Sequence, residues 1–504
     1  MPAPGDIYVV HNERLQAFVA YQLTHQDARD GSLAVLTLDW TGTALPDPTT
    51  VAAMQPARFN DLQQDDALHH RWAGKRPPRD FVHVGWRAPL IEAAPKIYGS
   101  WPDGAEVEHQ RRWDALDPTA VEAFKHASAA QEDRSVLLER GEYPVRRCAT
   151  RLDAAAMNLA PSLRLFDALP LLTKLDISEP VPGLLPWLRT RPLIHSLEIS
   201  QLQDTTLDLR GTSLIQANID ASGLRHLHLN DGLSELTLHG TLAPDLLITA
   251  EDDGRWLTLI STDATLAWAG LPALGELQLR DVRELDGGRI AERFPQLRAL
   301  SITGAPAVLH GLPRLGELGQ LHTLSASDVF PAGEAVFPEP GQWPRLCRLW
   351  LHSLPAALGT TIRKAYKSEA TKGLDLDVGQ LRTPDWLAAN LDNPFRDWDG
   401  SAQVSTAQAK KAATLYRKAC SEALKIAAEI RDAATLTVAL AQVGRAYTEG
   451  FNALDRRSGF IETEEREQIY TAWLAVVDAA ETRSGTAVID REVLRAAMNE
   501  VRTF

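Results

Sequence analysis

Few residues in this chain are spaced for catalysis. Asp392, Asp397 and Asp399 crowd one short loop with Arg396, Trp386 and Trp398. Three carboxylates that close would suit a metal ion or an acid–base pair, but the arginine among them points instead to an ion-paired seam. His69 and His70 adjoin Asp65 and Asp66. Neighbours on a strand point to opposite faces and chelate poorly, so a solvated polar loop is expected there. LDRRSGFIETEE (454–465) places Gly459, Ile461 and Glu465 as in a calcium loop, yet Leu454 and Arg456 stand where the first and third ligand carboxylates belong. Cys148 follows Arg146 and Arg147, cations that favour a thiolate, but no histidine lies nearby in sequence to act as its base. Phosphate-binding glycine loops, H-E-x-x-H and G-x-S-x-G are absent. The chain therefore reads as a non-enzyme, with no catalytic residue, no cofactor and no metal.

The chemistry that does stand out is that of contact. Arg348, Trp350 and His352 alternate, so on a strand all three face one side, with the composition of a binding hot spot. They lie in LCRLWLH (346–352), the last copy of an L-x-x-L-x-L phrase seen also in LTKLDIS (172–178), IHSLEIS (194–200), LGELQLR (274–280), LRALSIT (297–303) and LHTLSAS (321–327). The middle apolar residues are Leu175, Leu197, Leu277, Leu300, Leu324 and Leu349. Leu197 and Leu277 leave room for shorter coils, with marks at Ala217, Leu236 and Leu257. Between these runs a second ladder, Leu207, Leu227, Leu247 and Leu266. A coil of about 20 residues that supplies a strand to both sides explains LRHLHLNDGLSELTLHG (224–240), where the phrase recurs after nine residues. Leu227 and Leu247 are expected inside, and His226 and His228 outside. The rival is a hairpin through Asn230-Asp231-Gly232. Alternation places Glu235, Glu276 and Gln278 on the same outward ladder as Trp350, and most other ladder positions are small or acidic.

Over about 165–380 these copies resemble the leucine-rich repeat family, of an irregular bacterial kind. The asparagine or cysteine that usually follows the phrase is missing, since Ser200, Arg280, Thr303 and His352 stand there. The resemblance implies a solenoid with a concave protein-binding face.

The flanks read differently. Residues 1–90 hold short aromatic and β-branched runs, GDIYVVHN, LQAFVAYQLTH, LAVLTLDW and RDFVHVGWR, with turns between them. A small antiparallel barrel is expected, with Trp40, Trp86, Trp101 and Trp113 in its core. Its opening resembles an SH3-like immunity-protein family of polymorphic toxin systems. Residues 91–160 form a mixed linker and N-terminal cap with a helix near 118–130, and 161–382 the solenoid. A Pro- and Trp-rich seam (383–402) leads to a helical bundle (403–504), for which Thr463 and Asp490 are N-cap candidates. The fold class is multidomain α+β: barrel-like domain, repeat array, helical bundle.

Composition bounds the partners. Of 504 residues, 66 are acidic and 52 basic, a net charge of −14. That field disfavours nucleic acid and anionic membrane. No apolar run reaches the ~18 residues of a membrane span. Three scattered cysteines and an N-terminus without a basic and apolar leader suggest the cytoplasm. The expected function is a scaffold or immunity-type factor that grips a protein partner, one bearing a basic patch, through Glu235, Glu276, Gln278, Arg348, Trp350 and His352. The alternative is an enzyme with its site in the N-terminal domain or the 392–399 loop, its repeats selecting substrate.

Overall fold

The computed structural model describes residues 2–60, 66–130, 135–136, 145–200, 204–333, 335–383, 386, 390, 393–399, 401, 403–456, 458–485 and 489–504. Asp65 and Asp392 lie outside the described residues. The chain forms two compact units, Met1–Leu381 and Arg382–Phe504. The class is mixed α+β, with an antiparallel sheet near the N-terminus, a long parallel sheet and a C-terminal helical region.

The antiparallel sheet runs in the spatial order His70–Ala73, Leu33–Gly42, Ala17–Gln26, Asp6–Asn12, Val82–Trp86. Alternation buries both its faces. Ile7, Val9, Leu36 and Leu38 meet Val51 and Met54 on one side, while Val10, Val19, Tyr21 and Val35 pack on the other. Two expectations fail here. Trp86 is 63 % exposed, because it ends an edge strand with no neighbour beyond it. Trp113 is buried, but in a small cluster with Phe124 and Leu193 outside the sheet. His69 and His70 are likewise not a solvated loop: both are half-buried, and His70 opens a strand with its ring 2.7 Å from the Thr24 hydroxyl.

The long sheet has eleven parallel strands in chain order: Arg151–Asp153, Lys174–Ile177, Ser196–Ile199, Gln216–Asp220, Glu235–His239, Thr258–Ser261, Glu276–Asp286, Ala299–His310, Thr323–Pro331, Arg348–His352 and Asp375–Gly379. Parallel neighbours require a crossover between them. Towards both ends that crossover is helical, as in Leu184–Leu188, Gly287–Arg293 and Ala356–Thr371. In the centre it is a strand. Thr206–Asp208, His226–His228, Leu247–Thr249 and Ala269–Gly270 form a second parallel sheet, so the chain alternates between two sheets. The hairpin through Asn230 is excluded: His226–His228 pairs with Thr206–Asp208 and Leu247–Thr249, while Glu235–His239 pairs with Gln216–Asp220 and Thr258–Ser261.

Register is set by burial. Leu175, Leu197, Ala217, Leu236, Leu259, Leu277, Leu300, Leu324, Leu349 and Leu376 are successive partners, all pointing inward save the partly buried Leu376. The mark in the sixth strand is thus Leu259, not Leu257. In the second sheet Leu207 and Leu227 hold, and His226 and His228 lie outside, but Ile248 points inward and Leu247 is 38 % exposed. Leu266 is buried yet precedes its strand, and Gly270 is the true partner of Ile248. The missing asparagine or cysteine has a backbone counterpart: Asp281, Asp328 and Ser353, each four residues past an inward leucine, have φ of 53°, 55° and 52°. Short polar side chains tolerate that left-handed turn better than apolar ones.

The C-terminal unit is Thr406–Glu429, Ala433–Asp455, Thr463–Ser484 and Arg491–Val501 around one core that includes Phe395, Trp398, Phe451 and Trp473. Asp490 caps the last helix as expected, accepting from the amides of Glu492 and Val493. Thr463 does not cap its helix: Glu462 does, in a reciprocal box with Glu465.

Gly270 generates a test. Its φ is 100°, and a Cβ there would lie 1.8 Å from the Ile248 carbonyl oxygen. Gly270→Ala combines left-handed strain with overpacking and is expected to cost about 2–5 kcal/mol. Urea unfolding followed by circular dichroism checks this, and an unchanged midpoint would contradict the pairing of Ala269–Gly270 with Leu247–Ile248.

Candidate functional site

The six residues proposed for partner contact all lie on the outward side of the long sheet, between inward-pointing leucines. Trp350 is 39 % exposed. Its ring is fixed on two sides: the Arg348 guanidinium stacks 4.6 Å from the ring centroid, and Nε1 donates to Asp375 Oδ2 at 3.1 Å. His352 Nε2 is 3.1 Å from Asp377 Oδ2. Asp375 and Asp377 come from the next strand, so Trp350 does not end the ladder. Alternation in LDLDV (374–378) could have placed these carboxylates. Nearer the middle, Glu276 accepts from Thr258 Oγ1 at 3.2 Å and from Gln278 Nε2 at 2.9 Å, and Gln278 accepts from Arg280. Glu235 lies two strands away from Glu276 and the structure does not bring it into that network.

The outward face is not open along its whole border, as the sequence suggested. The N-terminal domain is seated along the row of residues that precede the strands. Glu13 lies 3.4 Å from Arg255, 3.5 Å from Arg298 and 3.5 Å from Arg345. Those arginines come from three alternate strands. Trp256 sits among the cations, with Arg298 4.6 Å and Arg255 5.1 Å from its ring. Further along, Arg79 pairs with Glu369 at 3.2 Å. Asp80 is the neighbouring acid that, after burial itself, pushes the Cys347 thiol up to about 12. Such a shift disfavours the thiolate, the reactive form.

Beside this seam lies a cleft of about 920 Å³ between the N-terminal domain and the start of the strands. Helix Ala105–Asp114 lines it with Glu106, His109, Arg112 and Trp113, the β-domain adds Phe59, His69 and Arg71, and the repeats add His195, Gln216 and Asp231. Gln216 belongs to the outward ladder, so cleft and face are continuous. The Glu106 carboxylate is buried, accepts from Thr37 Oγ1 at 2.8 Å, and has His69 Nδ1 at 4.0 Å. Arg112 reaches across to donate to the Gly232 carbonyl at 3.0 Å, in the turn that returns the chain from the second sheet. None of this cleft was visible in sequence, because its parts come from three segments that are well separated along the chain.

The other sequence candidates are absorbed locally. Trp386 Nε1 donates to Asp399 at 2.9 Å and stacks under Arg382 at 3.8 Å, while Trp398 belongs to the core of the helical unit. At the end of helix Ala433–Asp455, the Asp455 carboxylate accepts from the Ile461 amide at 2.9 Å. No helix among the described residues is long and apolar enough to cross a membrane.

No protein-family model matches the sequence, and no curated protein matches it. Among solved structures, an internalin from Listeria monocytogenes str. 4b F2365 is similar over 53 % of this chain and 93 % of its own, at 13 % identity and a TM-score of 0.21. A likeness that weak carries no argument about this chain.

Two outcomes follow from this geometry. Glu13→Gln leaves three guanidinium groups without their shared anion; the groups are partly exposed, so the expected loss is about 1 kcal/mol, shrinking between low and high salt. Denaturant melts at two ionic strengths check it, and a salt-independent or absent loss would contradict the seam. Burial, and secondarily the charge of His25, hold His70 down from 6.5 to about 4. The neutral ring is therefore favoured by folding: its contribution is full above pH 6.5 and is lost as pH falls from 6.5 towards 4. With discount for partial exposure the loss is about 1–2 kcal/mol. His70→Gln should flatten the pH dependence of the melting temperature across that interval.

Proposed function

We propose that the protein is a non-enzymatic interaction module that binds a protein partner on the outward face of the long sheet. In this reading the sheet is a leucine-rich-repeat solenoid and that face its concave side. An SH3-like domain (1–90) and a cap (91–160) precede the solenoid (161–382); a seam (383–402) and a helical bundle (403–504) follow. The protein serves as a cytoplasmic scaffold or immunity-type factor, a setting supported by its three scattered cysteines. The single observation that carries the proposal is Trp350: a large aromatic exposed on a regular strand, its ring held by Arg348 and Asp375 before any partner arrives. A side chain ordered in advance loses little entropy on binding. The carboxylates around it, with Glu235 and Glu276 along the ladder, favour a partner with a basic patch and disfavour nucleic acid.

One observation favours a second reading. The buried Glu106 with His69 at its side, in a cleft, is the kind of pair that performs acid–base chemistry. An enzyme using the N-terminal domain, with the repeats selecting substrate, would place its site there.

Affinity purification from the native host, with mass spectrometry, identifies the partner, and Trp350→Ala and Glu276→Lys then test the face. Truncation of a buried tryptophan anchor costs about 2–4 kcal/mol, so Trp350→Ala should weaken binding ~30-fold to ~1000-fold. Glu276→Lys should slow association most at low salt. Normal binding by both variants with unchanged circular dichroism refutes the proposal, as does turnover of a small molecule that depends on Glu106.

A further inference from the structure

The cleft beside helix Ala105–Asp114 has a use that partner binding does not require, and its hydrogen-bonding inventory narrows what fits. Its charges are balanced: Arg14, Arg71 and Arg112 against Asp103, Glu106 and Asp231. Most are also engaged within the protein. Arg14 and Arg112 share Glu108 at 2.9 and 2.6 Å, Arg71 donates to the His69 ring at 2.7 Å, and Glu106 accepts from Thr37. An ionic ligand would have to break these pairs.

Neutral groups stand beside them. Trp113 is 94 % buried, at 6 % exposure, and lines the cleft, yet its indole N–H has no acceptor among the described residues. His195 Nδ1 is 3.4 Å from the Leu193 carbonyl, which makes it the donor there and leaves Nε2 as an acceptor. Burial lowers the pKa of that ring, so it stays neutral. Gln216 adds an exposed amide that can both donate and accept. Trp101, Trp113, Phe59 and Leu193 add apolar surface to the lining. A volume of about 920 Å³ is within the range of small-molecule sites, roughly 300–1,000 Å³.

We propose that this cleft binds an uncharged, hydroxyl-rich ring compound, a short saccharide. The C–H face of a sugar ring covers an indole, and its hydroxyl groups, each donor and acceptor at once, match the Trp113 N–H, His195 Nε2 and the Gln216 amide. No net charge is brought in, so the pairs of Glu108 with Arg14 and Arg112 stay intact.

The test titrates the full-length protein with maltotriose, cellotriose and triacetylchitotriose by calorimetry, with adenosine and adenosine monophosphate in parallel. At least one trisaccharide is expected to bind, and Trp113→Phe or Gln216→Ala should each weaken it about three- to tenfold, the worth of one neutral hydrogen bond. Gln216 is exposed, so its variant reports on the site even if Trp113→Phe disturbs packing. Trp350→Ala should leave saccharide binding unchanged, which separates this site from the partner-binding face. Binding of none of the three saccharides, binding only of adenosine or its phosphate, or saccharide binding indifferent to Gln216→Ala overturns the proposal.

Discussion

Every feature of the larger unit follows from one constraint: strands that pair in parallel cannot be joined by a turn. The chain must leave the sheet, cross over and return, and the crossover must itself cover the apolar side it passes. Where about 23 to 25 residues separate inward leucines, as from Leu277 to Leu349, a short helix fits in the crossover. From Leu197 to Leu236 the separation is 20 and 19 and the crossover is extended, and it is extended also over the 23 residues from Leu236 to Leu259, so length alone does not choose. Extended crossovers carry their own unpaired amides and carbonyls, which must bond to something when buried. Stacked next to one another they bond to each other, and a second sheet results.

That logic made the alternation of two parallel sheets legible in sequence, while the hairpin through Asn230 stayed a rival until strand pairing excluded it. What it did not fix was register. Counting leucines placed marks at Leu247, Leu257 and Leu266, whereas strand pairing places them at Ile248, Leu259 and Gly270. The errors share a cause. In this stretch several adjacent apolar residues compete for the inward position, and only pairing with the neighbouring strand decides between them. Gly270 could not have been chosen on hydrophobicity at all, since it is needed where the two backbones come too close for a Cβ.

The candidate face was legible because alternation is local; the seam and cleft were not, because ion pairs such as Glu13 with Arg298 span hundreds of residues. Physically, the seam is a buried-edge problem solved with charge. The ends of parallel strands present a rim that cannot be covered by continuing the sheet. A single carboxylate shared by three guanidinium groups, with an indole among them, fastens the N-terminal region there. Such an arrangement is specific in position, since moving Glu13 by one strand would lose at least one of its cations.

The row of arginines on that rim has a bearing on how the protein can change over generations. Adjacent strands step by about 4.8 Å whatever lies between them. A crossover may be the three-residue strand Leu247–Thr249 or the sixteen-residue helix Ala356–Thr371 without altering that step. Insertions and deletions on the far side are therefore invisible to Glu13. The lineage is free to lengthen or trim its crossovers, while substitutions at Arg255, Arg298 and Arg345 are felt at once by a domain encoded more than two hundred residues upstream.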